Sequence, residues 1–254
     1  MTALHTTTLG ESGSPVVFCH GLFGQGRNWT QIGKALADEH RVTLVDMPDH
    51  GRSPWSERLD YAAMADAVAD VIGDEPAALV GHSMGGKAAM LAALRHPERI
   101  ERLVVVDVSP VEYRSADEFR GFIDAMLAID LDALSSRGDA DAALADGVPD
   151  AGIRAFLLQS LAREGEGWRW LPNLTMLRRD LDVLRGFPEV DGSYDGPVLW
   201  VAGAESRYVR DEFADRMAEL FPRVRRVTVN GAGHWVHAEQ PKVVTEILRR
   251  FLEA

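Results

Sequence analysis

The run Leu79-Val80-Gly81-His82-Ser83-Met84-Gly85-Gly86-Lys87-Ala88-Ala89-Met90 constrains the fold more than any other stretch of the chain. Ala77 to Val80 is apolar and suits a buried strand, and Lys87 to Leu94 is rich in helix formers. Gly81-x-Ser83-x-Gly85 stands between them. That strand–turn–helix setting makes the pentapeptide a candidate nucleophile elbow, which holds a serine in strained backbone with its hydroxyl raised above a sheet. Close packing of strand against helix leaves room only for small residues at 81 and 85. The helix N-terminus aims free N–H groups, that of Met84 among them, at any oxyanion formed beside Ser83. The bland alternative is an ordinary glycine-rich turn cradling a phosphate, and the flanking elements weigh against it.

Elements alternate up to residue 110. Thr6–Leu9 reads as an edge strand and Val16–Cys19 as a short buried one, followed by a turn at His20-Gly21-Leu22-Phe23-Gly24. Asn28 is placed to cap a helix starting near Trp29. A strand at Arg41–Asp46 leads into the turn-rich loop Pro48–Pro54. A helix over Tyr61–Ile72, the strand into the elbow, a helix over Lys87–Arg95 and the Val-rich strand Leu103–Val108 follow. This alternation predicts βαβ units, and therefore an α/β fold whose mostly parallel central sheet carries helices on both faces.

From Val111 to about Gly196 the strand texture disappears. Helical patterns at Phe119–Ile129, Ile153–Leu161 and Leu174–Leu184 replace it. Strand texture returns at Pro197–Gly203, before a helix at about Arg210–Leu220, a strand at Arg225–Val229, a loop carrying His234 and a helix over Pro241–Leu252. The expected organisation is a core built from 1–110 and 196–254, with an all-helical cap inserted at 111–195.

The formal net charge of -12 argues against nucleic acid or an anionic membrane surface as the main partner. Cys19, the lone cysteine, lies in an apolar run and reads as a buried thiol. The N-terminus lacks a basic-then-apolar leader pattern, and no apolar run approaches the roughly 18 residues of a membrane span. Cytoplasm is the default compartment. Asp46, Asp49 and His50 read as a loop scaffold rather than metal ligands, and no metal or cofactor is expected.

Four motifs occur in order: His20-Gly21, Asp46-x-x-x-His50-Gly51-x-Ser53, Gly81-His82-Ser83-Met84-Gly85-Gly86 and Gly233-His234. With them the chain resembles the α/β-hydrolase superfamily over nearly its full length, and within it the YbfF-type small esterases and acyl thioesterases. Arg27-Asn28-Trp29, Gly85-Gly86-Lys87, Asp107-Val108-Ser109-Pro110, Trp168-Arg169-Trp170 and His234-Trp235-Val236-His237-Ala238-Glu239 carry the closer likeness.

Ser83 is the expected nucleophile and needs an adjacent base. His234, in the loop Asn230-Gly231-Ala232-Gly233-His234, is the candidate. His20 and His82 read as makers of structural hydrogen bonds, His50 as the brace of its own loop, and His5, His40 and His96 as surface residues. His237 lines the pocket or lies one helical turn on. The acid departs from the common pattern. The superfamily often places Asp three residues beyond the glycine ending the seventh strand, and here that position, counted from Gly203, is Ser206. Glu205 stands next to it. Asp107 is the favoured alternative, because it ends a parallel strand and strand carboxyl ends are where such sites are built. The esterases that the chain resembles use an acid there, with a serine like Ser206 beside the histidine. The oxyanion hole is expected from the backbone N–H groups of Met84 and Leu22, with Phe23 as the neighbouring option.

Phe119, Phe122, Trp168 and Trp170 of the cap, with Phe23 and Trp235, are the expected pocket lining. An apolar roof implies a small-molecule carboxylic ester or thioester, cleaved through an acyl-enzyme on Ser83. The cap arginines Arg114, Arg120, Arg154, Arg169, Arg178 and Arg179 either meet an anionic headgroup or form a solvated face. The same triad would serve a carbon–carbon bond hydrolase or a lactonase. A ligand-binding pseudo-hydrolase is the reading from a different class. Dehalogenase and epoxide-hydrolase chemistry is disfavoured, because those relatives carry Asp where this chain has Ser83.

Overall fold

The structure, a computed structural model, describes residues 3–113 and 117–253, so Arg114 lies outside the described residues. In chain order the core begins with β1 (Thr6–Leu9), β2 (Ser14–Cys19), α1 (Thr30–Leu36), β3 (His40–Val45), α2 (Tyr61–Ile72), β4 (Ala77–His82), α3 (Met84–Arg95) and β5 (Ile100–Val106). Then come α4 (Asp117–Leu127), α5 (Arg137–Leu144), α6 (Ala151–Leu158), β6 (Leu161–Glu164), β7 (Gly167–Trp170), α7 (Leu174–Arg179) and α8 (Leu181–Arg185). The chain returns to the core with β8 (Val198–Gly203), α9 (Ala214–Leu220), β9 (Val224–Val229), α10 (Val236–Glu239) and α11 (Pro241–Leu252).

Seven strands form one sheet in the order β1-β3-β2-β4-β5-β8-β9. β1 pairs antiparallel with β3 and all other neighbours in this sheet run parallel. Every residue of β4 and β8 is buried. That is why both read as continuous apolar runs rather than alternating ones. Alternation within each strand feeds two layers. Val16, Phe18, Val80 and Val104 meet the α1 and α11 residues Ile32, Leu36, Val244 and Leu248. Val17, Leu79, Leu103 and Val105 pack on the other side with Met64 and Val68 of α2 and Ala88 of α3. The carboxyl ends of β2, β4, β5, β8 and β9 therefore open on one edge of the sheet.

Several expectations need correction. Residues 111–195 contain a strand pair besides helices: β6 and β7 are antiparallel, pairing Leu161 with Trp170 and Glu164 with Gly167. The connection is Gly165-Glu166, with Gly165 at φ +60°, a two-residue hairpin turn that favours glycine. Four-residue strands without Val or Ile left too little pattern to read. The helix expected over Leu174–Leu184 is two helices. It breaks at Asp180, whose carboxylate accepts the Leu59 N–H at 2.9 Å. α5, unexpected, starts on a capping box of Ser136 with Asp139. Asn28 does not cap α1. It closes a 3₁₀ turn at Gly26–Trp29, its Oδ1 accepting the Gln25 N–H at 2.6 Å. Among the described residues, no helix is long and apolar enough to cross a membrane.

Candidate active site

Ser83 follows β4 directly, at φ +52° and ψ −117°. Such a conformation costs a non-glycine residue on the order of 1–3 kcal/mol, so the surroundings must impose it. The Ser83 N–H donates to Val106 O at 3.0 Å, and its carbonyl accepts the Lys87 N–H at 3.0 Å. A Cβ on Gly81 would lie 2.3 Å from Gly85 O, and one on Gly85 2.4 Å from His20 O. Glycine at 81 lets α3 turn back onto β4. Glycine at 85 lets the same helix press against the end of β2.

Asp107 repeats the arrangement after β5. It also has φ +52°, is fully buried, and donates its N–H to Val201 O at 2.8 Å. Three donors converge on its carboxylate. The Gly203 N–H reaches Oδ1 at 2.9 Å, while the Ser206 hydroxyl and His234 Nδ1 reach Oδ2, the latter at 2.7 Å. A carboxylate accepting from Nδ1 fixes the proton there and leaves the Nε2 lone pair outward. Ser83 Oγ lies 3.0 Å from that Nε2. Four separate segments thus bring serine, imidazole and carboxylate into one line. The Ser206 hydroxyl shares Asp107 Oδ2 with His234 Nδ1, which sets it beside the histidine. Glu205 is exposed and its N–H bonds Ala232 O at 2.9 Å, so Asp107 is the acid that meets His234.

Buried histidines hold these segments. A neutral imidazole offers one donor and one acceptor, so each can staple two stretches of backbone. His20 Nδ1–H donates to Gly21 O at 2.8 Å and Nε2 accepts the Met47 N–H at 2.9 Å. His50 Nδ1–H donates to Pro48 O at 2.9 Å and Nε2 accepts the Phe23 N–H at 3.2 Å. His82 Nε2–H donates to His234 O at 2.8 Å, joining the elbow to the histidine loop. Burial, reinforced by His50, pushes His20 down to about 3. Burial also lowers His50, and together with His237 and His234 it holds His82 well below the ordinary range. All three therefore stay neutral near pH 7. Asp46 and Asp49 fit the loop-scaffold reading: Asp46 accepts the N–H groups of Gly26 and Arg52, and Asp49 accepts the backbone N–H and the hydroxyl of Ser56.

The His50 bond also separates the oxyanion candidates. The Phe23 N–H is committed to His50, whereas the Leu22 N–H has no hydrogen-bond acceptor among the described residues. Met84 is the first residue of α3, where an N–H lacks an intrahelical acceptor. Both residues line the cavity at Ser83.

That cavity is walled by Leu22, Met84, Phe119, Tyr113, Tyr208 and Lys87, among others. The Tyr208 ring lies 4.2 Å from the His234 ring, and Phe119 packs edge-on to Phe122. Phe119 is the one expected pocket aromatic among the lining residues. Phe23 is buried near it, with ring centroids 6.5 Å apart, and Phe122 stands behind it. Trp168 and Trp170 instead hold residues 117–170 together, donating to Leu134 O and Met126 O at 3.1 and 3.0 Å. Trp235 packs on Phe156 and lines a different groove, with His237. Sequence reasoning missed Tyr61, Tyr113, Tyr208 and Lys87. Only Lys87 carried a signal, because it lies one helical turn beyond Ser83 and shares its side of α3. Among the described residues, no cluster of His, Cys, Asp and Glu could hold a metal ion.

Comparison with known proteins agrees with the fold. The model of the alpha/beta hydrolase family matches residues 16–247. The mouse (Mus musculus) sn-1-specific diacylglycerol lipase ABHD11 is 40% identical over 246 residues, 93% of this chain and 80% of that protein. Esterase YbfF of Escherichia coli (strain K12) is 35% identical over 247 residues, 95% of this chain and 94% of that one. A solved marine microorganism esterase superposes with TM-score 0.96 at 32% identity, covering 99% of this chain and all of its own. A strained serine after β4, an acid after β5 and a histidine after β9, on a sheet matched end to end by such relatives, place this chain in the alpha/beta hydrolase family, among relatives of the YbfF type.

Proposed function

We propose that the protein hydrolyses carboxylic esters of small molecules through an acyl-enzyme on Ser83. The observation that carries this reading is the continuous Ser83–His234–Asp107 line at the mouth of a mainly apolar cavity. His234 Nε2 takes the Ser83 proton as Oγ attacks the ester carbonyl. Asp107 holds the ring and stabilises the imidazolium that forms. The N–H groups of Leu22 and Met84 receive the developing oxyanion. The imidazolium then protonates the leaving alcohol or thiol. A water, deprotonated by the same nitrogen, attacks the acyl carbon, and the imidazolium returns that proton to Ser83 Oγ as the acyl C–O bond breaks and the acid leaves. The relatives named esterase and lipase support this chemistry. Residues 111–195 serve as the cap, since Tyr113, Phe119, Leu184 and Arg185 reach the cavity from this segment.

The test is hydrolysis of p-nitrophenyl acetate, butyrate, octanoate and palmitate, beside the matching acyl-CoA esters, by wild type and Ser83→Ala. Removing a triad nucleophile should lower kcat on the order of 10⁶-fold. Activity surviving in Ser83→Ala would overturn the acyl-enzyme. The profile across chain lengths measures the cavity.

A further inference from the structure

Tyr208 stands where the base, the acid and helix α4 meet. It is buried and lines the Ser83 cavity. Its ring lies over the His234 imidazole, with centroids 4.2 Å apart and planes tilted by 35°. Backbone bonds fix that ring in place. Tyr208 O accepts the hydroxyls of Ser109 and Tyr113, both at 2.7 Å, and the Tyr208 N–H donates to Ser206 Oγ at 3.2 Å. At the other end the phenol donates to Glu118 Oε1 of α4 at 2.7 Å. Burial, with that bond and the charge of Glu118, pushes the phenol upward, so it keeps its proton and remains the donor.

An aromatic face carries negative potential, so it attracts an imidazolium more than a neutral imidazole. His234 is neutral before attack and cationic once it holds the Ser83 proton. A contact that favours only the second form lowers the barrier. Donation of the phenol O–H to a carboxylate enriches the ring further, because linked hydrogen-bonded groups polarise one another. The other aromatic side chains stand further off. Trp235 lies 5.6 Å from the His234 ring and nearly edge-on, and Phe119 lies 6.4 Å away.

We infer that Tyr208 is a positioning residue that acts through His234: its face, enriched by the bond to Glu118, stabilises the imidazolium formed during acyl transfer. The inference rests on the acyl-enzyme reading above. It gives α4 a part in the strength of the base, although Glu118 bonds none of the three residues Ser83, His234 and Asp107. The other titratable groups facing His234 are Asp107 beyond β5, His82 at the end of β4, and His237 and Glu239 of α10. Lys87 of α3 lines the same cavity. Substitutions at 208 and 118 leave all of these residues in the chain.

NMR of isotope-labelled histidine in Ser83→Ala protein reads the protonation midpoint of His234 without turnover. The comparison is with the same protein carrying Tyr208→Leu, Tyr208→Phe or Glu118→Gln. Tyr208→Leu should lower the midpoint by about 0.5 to 1.5 pH units, the worth of one cation–π contact. Tyr208→Phe and Glu118→Gln keep a ring over the imidazole and should lower it by less. In protein that retains Ser83, Tyr208→Leu should lower kcat for p-nitrophenyl butyrate about 3- to 30-fold and move the acid limb of the pH profile downward with the midpoint.

A side chain that merely filled space would slow the reaction without moving the midpoint. An unchanged midpoint in Tyr208→Leu would therefore overturn the inference, whatever the rate. Should Tyr208→Leu fail to fold, unchanged midpoints in both Tyr208→Phe and Glu118→Gln would overturn it instead. A lowered midpoint in protein whose wild type turns over no ester would uphold the contact and sink the acyl-enzyme reading.

Discussion

The carboxyl edge of the sheet and the segment from 117 to 185 spend their polar side chains differently. At the sheet edge, Asp107, His20, His50 and His82 are buried and bridge backbone segments far apart in the chain. In the other segment, many go into partly exposed ion pairs, such as Arg178 with Asp124, Arg154 with Asp141 and Arg169 with Glu164. Such pairs are individually worth about 0–1 kcal/mol. A buried bond to backbone is expensive to break, because it leaves its partner unsatisfied. The edge is therefore specified residue by residue, while the segment above it is specified mainly by volume. Substrate range can drift in the second without disturbing the first.

Asp107→Asn tests the contrast most severely. It removes one charge from a buried site and leaves the shape intact, and kcat should fall about 10⁴-fold. Circular dichroism should show the fold retained. A near-normal rate would return the role of acid to Glu205. At the other extreme stands Trp168→Phe. It loses the hydrogen bond to Leu134 O and weakens the aromatic contact beneath Arg163, whose guanidinium lies 4.2 Å from the ring. Stability should fall by about 1 kcal/mol, and kcat/KM should stay within about twofold. A larger kinetic loss, measured beside the denaturation midpoint, would show that the upper segment positions the chemistry more tightly than its ion pairs indicate.

The same contrast explains what could be read from the sequence. The elbow was legible because positive φ and backbone contact admit few residue types, and Gly81, Ser83 and Gly85 satisfy them in a fixed spacing. His234 was legible from its glycine-bounded loop, and Asp107 from the end of a Val-rich strand. The tyrosines of the cavity were not. Tyr61, Tyr113 and Tyr208 come from three distant parts of the chain, and only the folded chain brings them together. His40, expected at the surface, is buried because parallel pairing sets it beside Ser14, whose hydroxyl lies 2.8 Å from its Nδ1. Register of that kind is a tertiary property. The β6–β7 hairpin escaped for a related reason. Its strands pair chiefly with each other, so they need no long apolar run.

The imidazole staples also make acid resistance a matter of proton uptake. His20 is pushed down to about 3, His50 and His82 are lowered as well, and the buried ring of His237 beside them, which bridges no backbone, also falls to about 3, from an ordinary 6.5. Below about pH 6.5 the unfolded chain binds protons that the folded chain refuses, so stability falls as pH falls, through this whole window. Denaturant midpoints between pH 7 and pH 5 should drop, and replacing a staple with a residue that does not titrate should flatten the slope. The pieces of backbone that frame Ser83 are thus joined by the groups least tolerant of acid, and a proton forced into that cluster would loosen the elbow, the oxyanion turn and the histidine loop together.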